Sequence, residues 1–170
     1  LLRKILDWSD YKLNPSGDGK TFTNYTSTSD TLDLKYDAAN RYMDGDWHVP
    51  TSEQIKELID NTTRTWRALN GVNGMTFTSK KDDTKSIFIP AAGYTLNSGL
   101  VYGNGMEGNL WSSTLSDSHI SNGYVLYFYS GDVELGNDNR SYKFPIRGVI
   151  DKKCNNFKNK KSNMETNEKL

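Results

Sequence analysis

The chain has 170 residues and carries 21 Lys and Arg side chains against 21 Asp and Glu, so its formal net charge is zero. This balance gives no strong attraction to nucleic acid or to an anionic membrane, and no apolar run approaches the length of a membrane span. The single cysteine excludes an internal disulfide framework and a metal site of the Cys-x-x-Cys type.

Two helices are predicted in the first third of the chain. Apolar residues that share a face predict a short helix over Leu34–Met43. The second helix begins after Thr51, because this residue is a good N-cap and Gln54 completes a capping box with it. Pro50 holds the chain extended just before the cap, and the helix is expected to end near Asp60–Asn61.

After the second helix the pattern changes to strand-like alternation. Two strands are predicted around "NGVNG", followed by the charged turn "KKDDTK" and a short strand in "SIFIPAAGY". The long Gly-rich segment "GYTLNSGLVYGNGMEGN" is a candidate binding loop. Further strands are predicted around Leu110–Ser113, Tyr124–Tyr129 and Tyr142–Ile150, with a short one at Val133–Leu135. The predicted class is α+β, with two helices followed by a strongly twisted antiparallel sheet.

Six fragments in a fixed order carry a resemblance to a known family. They are "DAANRYMDGDWHVPTSEQIKELI", "LNGVNGMTF", "SIFIPAAGY", "LWSS", "GYVLYF" and "YKFPIRGVI". Their succession resembles the Fibrobacter succinogenes major paralogous domain, over roughly Trp8–Ile150. That family looks like part of the C-type-lectin-like superfamily, related in fold to formylglycine-generating enzymes and phage tropism determinants. The resemblance implies a C-type-lectin-like fold with two helices packed on a twisted antiparallel sheet and a long loop-rich lobe.

The resemblance also implies boundaries for this domain. Residues 32–150 are expected to form the C-type-lectin-like domain. Residues 1–31 are expected to be a polar segment, part of an incomplete or truncated first strand and a loop, because only "LLRKI" stands where the family has its first strand. Residues 151–170 have almost no apolar content and are predicted to be a disordered tail. Within the domain, the resemblance implies that Trp47 and Pro50 fix the start of the second helix against the sheet, and that Trp111–Ser113 lie at the core of the loop-rich lobe.

Catalysis is not expected. The formylglycine-generating branch works through active-site cysteines, whereas Cys154 lies beyond the last predicted strand. His48 and His119 are the two histidines of the chain, which is too few for a His-rich metal site. We expect that the protein is not an enzyme and that it binds no cofactor. Calcium binding stays an open possibility, because "GNDNR" at Gly136–Arg140 offers hard oxygen ligands. The alternative interpretation of this segment is a polar hairpin turn.

The C-terminal third mixes strand-forming aromatics with small polar residues, as adaptable binding surfaces do. The two parities of Tyr124–Tyr129 are both apolar, which indicates burial on both faces, or burial on one face and a ligand platform on the other. The candidate ligand-binding residues are Asp117, His119, Asn122, Tyr129, Asn137, Asn139, Arg140 and Tyr142.

The sequence therefore predicts a non-catalytic recognition module of an exported or surface protein. It is expected to be bacterial and adhesive, and to bind a protein or glycan on another surface through its C-terminal loop-rich lobe. The alternative is a structural or assembly domain of a larger surface protein. Neither nucleic acid nor direct membrane insertion is expected, and the oligomeric state is open. The expected location is secreted or cell-surface, with no signal peptide in this chain.

Overall fold

The computed structural model describes residues 30–43, 45–96, 99–119 and 121–151. The predicted N-terminal segment, apart from residues 30–31, and the predicted tail, apart from residue 151, lie outside the described residues. Cys154 lies outside them as well.

The first predicted helix is split in two. A 3₁₀ turn at Leu34–Tyr36 is followed by the short helix α1, Ala38–Tyr42. The prediction of one helix over Leu34–Met43 is wrong because Asp37 between them is extended, with φ −75° and ψ 119°. Its carboxylate accepts hydrogen bonds from the backbone N–H groups of Ala39, Asn40 and Val49.

Helix α2, Ser52–Asn61, confirms the second helix prediction. Its N-terminus is closed by the predicted capping box. The Gln54 backbone N–H donates to Thr51 Oγ1 at 3.3 Å, and the Thr51 N–H donates to Gln54 Oε1 at 2.9 Å. Both donors would otherwise lack a partner at the helix end. Pro50, just before the cap, accepts a backbone bond from Ser113 at 2.8 Å, so the start of α2 is tied to the strand region as expected.

The first antiparallel sheet contains β1, Thr62–Leu69, β2, Val72–Ser79, and β3, Ser86–Pro90. The β1–β2 turn consists of Asn70 and Gly71, which have φ of 51° and 79°. Two successive positive φ angles match the twist of a two-residue hairpin, which explains the Asn-Gly pair. The predicted turn "NGVNG" was therefore too long, because its last three residues already belong to β2.

The rest of the chain forms a small ribbon and a second three-stranded sheet. The ribbon pairs β4, Tyr94–Thr95, with β5, Val101–Tyr102, inside the predicted Gly-rich loop. The second sheet contains three longer strands in antiparallel order: β6, Glu107–Leu115, β7, Asn122–Tyr129, and β8, Val133–Asn139. The α+β class is thus confirmed, although the strands fall into three sheets where one was expected.

The predicted strand at Tyr142–Ile150 is wrong. This segment makes only isolated bridges, one between Lys143 and Thr95 and one between Val149 and His48. Pro145 has no backbone N–H to give to a ladder, although its carbonyl accepts from the Trp111 N–H at 3.2 Å. The segment therefore runs along the second sheet without joining it as a strand.

The second half of β6 is hydrogen-bonded to segments other than its neighbouring strand β7. The pairing register with β7 shifts between Trp111 and Leu115. There the Ser113 carbonyl accepts from Leu32 at 2.7 Å, and the Leu115 N–H donates to the Asp30 carbonyl at 2.7 Å. Together with the Pro50 bond, these contacts make β6 the strand to which the early part of the described chain is attached.

The β6–β8 sheet has apolar side chains on both faces. One face packs with α2 and the first sheet around the main core, whose buried members are Ile55, Met75, Phe77, Ile89, Ala91, Leu110, Leu126, Phe128 and Val133. The other face carries a second cluster around Trp111, Val125 and Phe144. Trp111 is only 6% exposed and is therefore buried; that it forms the core of a loop-rich lobe stays a prediction.

Candidate functional site

The face of the β6–β8 sheet that is opposite the main core carries the densest group of tyrosines. In antiparallel pairs, residues directly opposite one another share a face. Glu107 pairs with Tyr129 in this way, and Tyr127 is flanked by Asn109 on one side and Glu134 on the other. Tyrosines of the ribbon and of the segment after β8 pack on the same side. We call this surface the tyrosine face; it comprises Tyr94, Tyr102, Tyr127, Tyr129, Tyr142 and Glu107.

Ring stacking holds one half of the tyrosine face in place. Tyr94 stacks against Tyr102 at 5.5 Å and 24°, and against Tyr142 at 6.0 Å and 23°. Phe144 meets Tyr94 edge-on at 5.8 Å and packs on Trp111 at 4.6 Å. The row of rings is thus anchored on a buried tryptophan, while Tyr102 at its outer end keeps 38% of its surface exposed.

The second half of the tyrosine face is formed by Tyr127 and Tyr129 on β7. Their ring centroids are 5.9 Å apart and the ring planes are tilted by 41°. The Tyr129 ring lies against Gly131, where an added Cβ would come within 2.7 Å of the ring. Tyr129 is 41% exposed, so its ring is packed on one side and open on the other.

Glu107 lies between the two groups of rings. The Tyr127 hydroxyl donates to Glu107 Oε2 at 3.2 Å. Burial raises the pKa of Tyr94 and of Tyr127, and the negative charge of Glu107 raises both further. The Glu107 side chain also packs on Gly103, whose φ is +65° and where a side chain would have no room. Its carboxylate is therefore held in one position among the aromatic rings.

A buried amide of the same face lacks a hydrogen-bond partner. Asn109 is 5% exposed and lies beside Tyr127 in the register. Within the part of the chain that the structure describes, its Nδ2 has nothing to donate to. A buried donor without an acceptor costs about 1–3 kcal/mol, which is a cost that structural positions normally avoid.

Four of the residues predicted to bind a ligand lie together at the other end of the sheet. Asn122 Nδ2 donates to Asn137 Oδ1 at 2.9 Å, and Asn122 pairs with Asn139 across the two strands. The Tyr124 hydroxyl donates to Asp117 Oδ2 at 3.2 Å. These polar side chains are largely engaged with one another and with nearby backbone.

The other four predicted residues are dispersed. His119 is exposed in the β6–β7 connection, and Arg140 is buried, with 6% exposure. Tyr142 and Tyr129 belong to the tyrosine face. Tyr129 is seven residues along β7 from Asn122, about 23 Å at the usual strand rise, so the predicted set does not form one patch.

A polar cleft of about 410 Å³ lies between the start of α2 and the Asp117 end of the sheet. Burial raises the pKa of Tyr124 in this cleft, and its hydrogen bond to Asp117 raises it further. Backbone hydrogen bonding at its own position lowers the pKa of Glu53, which lies at the start of α2. The residues lining the cleft are Asp30, Thr31, Ser52, Glu53, Lys56, Thr114, Asp117, Tyr124 and Leu135.

The segment considered for calcium is the end of β8 and not a hairpin turn. Successive side chains of a strand point to opposite faces, so Asp138 lies on one face while Asn137 and Asn139 lie on the other. Among the residues that the structure describes, no group of three or more His, Cys, Asp or Glu side chains is placed to hold a metal ion.

Asp138 makes stability depend on pH. Burial raises the pKa of its carboxyl group, against a smaller lowering by the hydrogen bond from the Asn139 N–H. The folded chain therefore holds this proton more tightly than the unfolded chain, whose Asp pKa is about 3.9. The contribution of Asp138 to the free energy of unfolding is therefore most favourable below about pH 3.9, where the carboxyl group is protonated in both states. It is lost as the pH rises through the raised pKa of the folded state.

The expected result is that Asp138→Asn stabilises the protein at neutral pH relative to the wild type, and that this gain disappears at about pH 3. Melting temperatures of both proteins across that range measure it. The exposed Asp83→Asn provides the control for removing one charge. A gain for Asp138→Asn that is constant with pH would contradict the assignment.

Comparisons of this chain with models of protein families, with curated proteins and with solved structures give no match. As to the membrane, no helix in the described ranges has both the length and the apolar character needed to cross it.

Proposed function

We propose that this chain is a non-catalytic recognition module of an exported or cell-surface protein and that it binds a protein or glycan through the tyrosine face. The observation that carries this proposal is the half-exposure of Tyr102 and Tyr129 at the ends of a packed group of rings. Rings that are already fixed lose little conformational entropy on binding and supply a large contact area. Such rings are typical of binding hot spots.

The proposal includes a C-type-lectin-like arrangement for the described residues. Its support is the order of elements, with two helices ahead of the antiparallel sheets, and the burial of Trp111 in the strand region. The irregular lobe that includes the β4–β5 ribbon supplies Tyr94 and Tyr102. In this arrangement the binding surface combines one regular sheet face with that lobe.

The test compares the wild type with the double variant Tyr102→Ala, Tyr129→Ala in a glycan-array and cell-surface binding screen. We expect the double variant to lose affinity at least about thirtyfold, because each aromatic hot spot contributes about 1–2 kcal/mol or more. The melting temperature should change much less than in a core substitution, since Tyr102 and Tyr129 are 38% and 41% exposed.

Tyr124→Ala is the matched control, because Tyr124 lies on the same strand but next to Asp117 at the opposite end of the sheet. It should leave binding unchanged. If Tyr124→Ala removed binding while the double variant retained it, the binding surface would be the predicted polar end and the tyrosine face would be excluded.

A second candidate function, a structural or assembly domain, is favoured by exposed apolar residues at two adjoining loops. Leu69 and Val72 flank the β1–β2 turn with 38% and 48% exposure, and Met106 is 68% exposed. A hydrogen bond of 2.9 Å from Asn73 Nδ2 to the Gly105 carbonyl joins the two loops. Sedimentation over a range of concentrations distinguishes the functions: self-association that Val72→Ser or Met106→Ser abolishes supports assembly.

A further inference from the structure

The sheet strands contribute acidic but no basic side chains to the tyrosine face. The paired positions that share this face of β6–β8 include the acids Glu107, Glu134 and Asp138, and none of them is Lys or Arg. Across the described ranges, neither Glu107 nor Glu134 forms an ion pair. The carboxylates of Glu107 and Glu134 are therefore not paired with a cation within the described residues.

The aromatic rings increase the attraction of this face for positive charge. The face of a tyrosine ring is negative and binds ammonium or guanidinium groups within about 6 Å, with about 0.5–1 kcal/mol at exposed sites. Tyr127 and Tyr129 present two such rings at a 41° tilt, next to the Glu107 carboxylate. Ring faces and carboxylate together form the combination that a cation prefers over a neutral group.

The position of the carboxylate is fixed before any ligand arrives. Glu107 is held by the Tyr127 hydroxyl at 3.2 Å and by its packing on Gly103. A preorganised charge does not lose side-chain entropy when it binds, so more of its attraction appears as affinity. A mobile surface glutamate would contribute much less.

The geometry points to a lysine or arginine side chain of a basic protein segment as the ligand of the tyrosine face. This inference rests on the proposed function and narrows its ligand to one class. The cation lies against the Tyr127 and Tyr129 rings and pairs with Glu107, while Glu134 attracts neighbouring basic residues of the same segment.

The experiment is an isothermal titration of the full chain with a short oligolysine peptide and with a peptide of equal length in which serine replaces each lysine. We expect saturable binding of the lysine peptide alone, which weakens between about 0.05 M and about 0.5 M salt because screening grows. Glu107→Gln should weaken binding about threefold to tenfold. Glu57→Gln, which removes one exposed carboxylate on α2, is the matched control and should have little effect.

Three results would overturn the inference. The first is equal binding of the lysine and serine peptides, and the second is an equal effect of Glu107→Gln and Glu57→Gln. The third is binding of a neutral oligosaccharide, or of a second copy of the chain, that is insensitive to salt and is lost in Tyr129→Leu. In each case the proposed function is decided separately by the Tyr102 and Tyr129 double variant, so the two failures are distinguishable.

Discussion

Replacement of Phe128 by Ala is expected to lower the free energy of unfolding by about 3–5 kcal/mol. The Phe128 side chain has no exposed surface and joins the two three-stranded sheets. Its ring meets that of Phe77 edge-on, with centroids 6.2 Å apart and planes at 88°. On its own sheet the ring packs directly on Gly108, where an added Cβ would collide with it. The strands around the resulting cavity are held in hydrogen-bonded sheets, so the cavity closes only in part.

Equilibrium unfolding in urea measures this loss. Phe128→Leu fills most of the space and should cost clearly less, because substitutions that nearly conserve volume cost less than about 1.5 kcal/mol. Tyr129→Ala, the next residue on the strand, removes an exposed ring and serves as the surface control. Equal losses for Phe128→Ala and Tyr129→Ala would show that the two sheets do not share the core described above.

Asp37→Ala is the second large effect, with an expected loss of about 2–4 kcal/mol. Asp37 is 1% exposed. Its Oδ1 accepts from the backbone N–H groups of Ala39 at 2.8 Å and Asn40 at 3.0 Å, which caps α1. Its Oδ2 accepts from the Val49 N–H at 2.8 Å, which ties α1 to the segment before α2. Alanine leaves all three donors without an acceptor in a buried place.

The same urea unfolding experiment tests this, with two comparisons. Asp37→Asn keeps one side-chain oxygen as an acceptor and should fall between the wild type and Asp37→Ala. Asp33→Ala removes an exposed carboxylate whose cap on the 3₁₀ turn is a single bond of 3.1 Å from the Lys35 N–H, so it should destabilise the protein much less than Asp37→Ala. A loss from Asp33→Ala as large as that from Asp37→Ala would contradict the anchoring role of Asp37.

The features that the sequence predicted correctly depend on residues close together in the chain. The capping box of α2, for example, needs only Thr51 and Gln54, and the position of the β1–β2 turn, although not its length, follows from nearby residues. The interruption at Asp37 could not be predicted in this way, because the residue is held by Val49, 12 positions further on. Periodicity across Leu34–Met43 gave no sign of that contact.

The candidate site, too, was predictable only where it depends on residues close together in the chain. Alternation along Tyr124–Tyr129 showed two apolar parities, but it did not indicate which of them, if either, is a binding platform. It could not show that Tyr94 and Tyr102 stack on the same side, or that Glu107 lies opposite Tyr129, since those contacts depend on how distant strands pair. The polar segments near Asp117 and Asn137 looked more like a binding site, because the sequence does not reveal that their side chains bond to one another.

The attachment of the early chain to β6 has a consequence for synthesis. Leu32 and Pro50 make their backbone bonds to Ser113, which for Pro50 lies 63 residues further along the chain. A ribosome makes the chain from its N-terminus, so residues 30–50 emerge well before the strand that accepts them. Until β6 has left the exit tunnel, this stretch has only its own local contacts, such as the Asp37 cap. The nascent chain must therefore wait for a late segment before its first elements can dock.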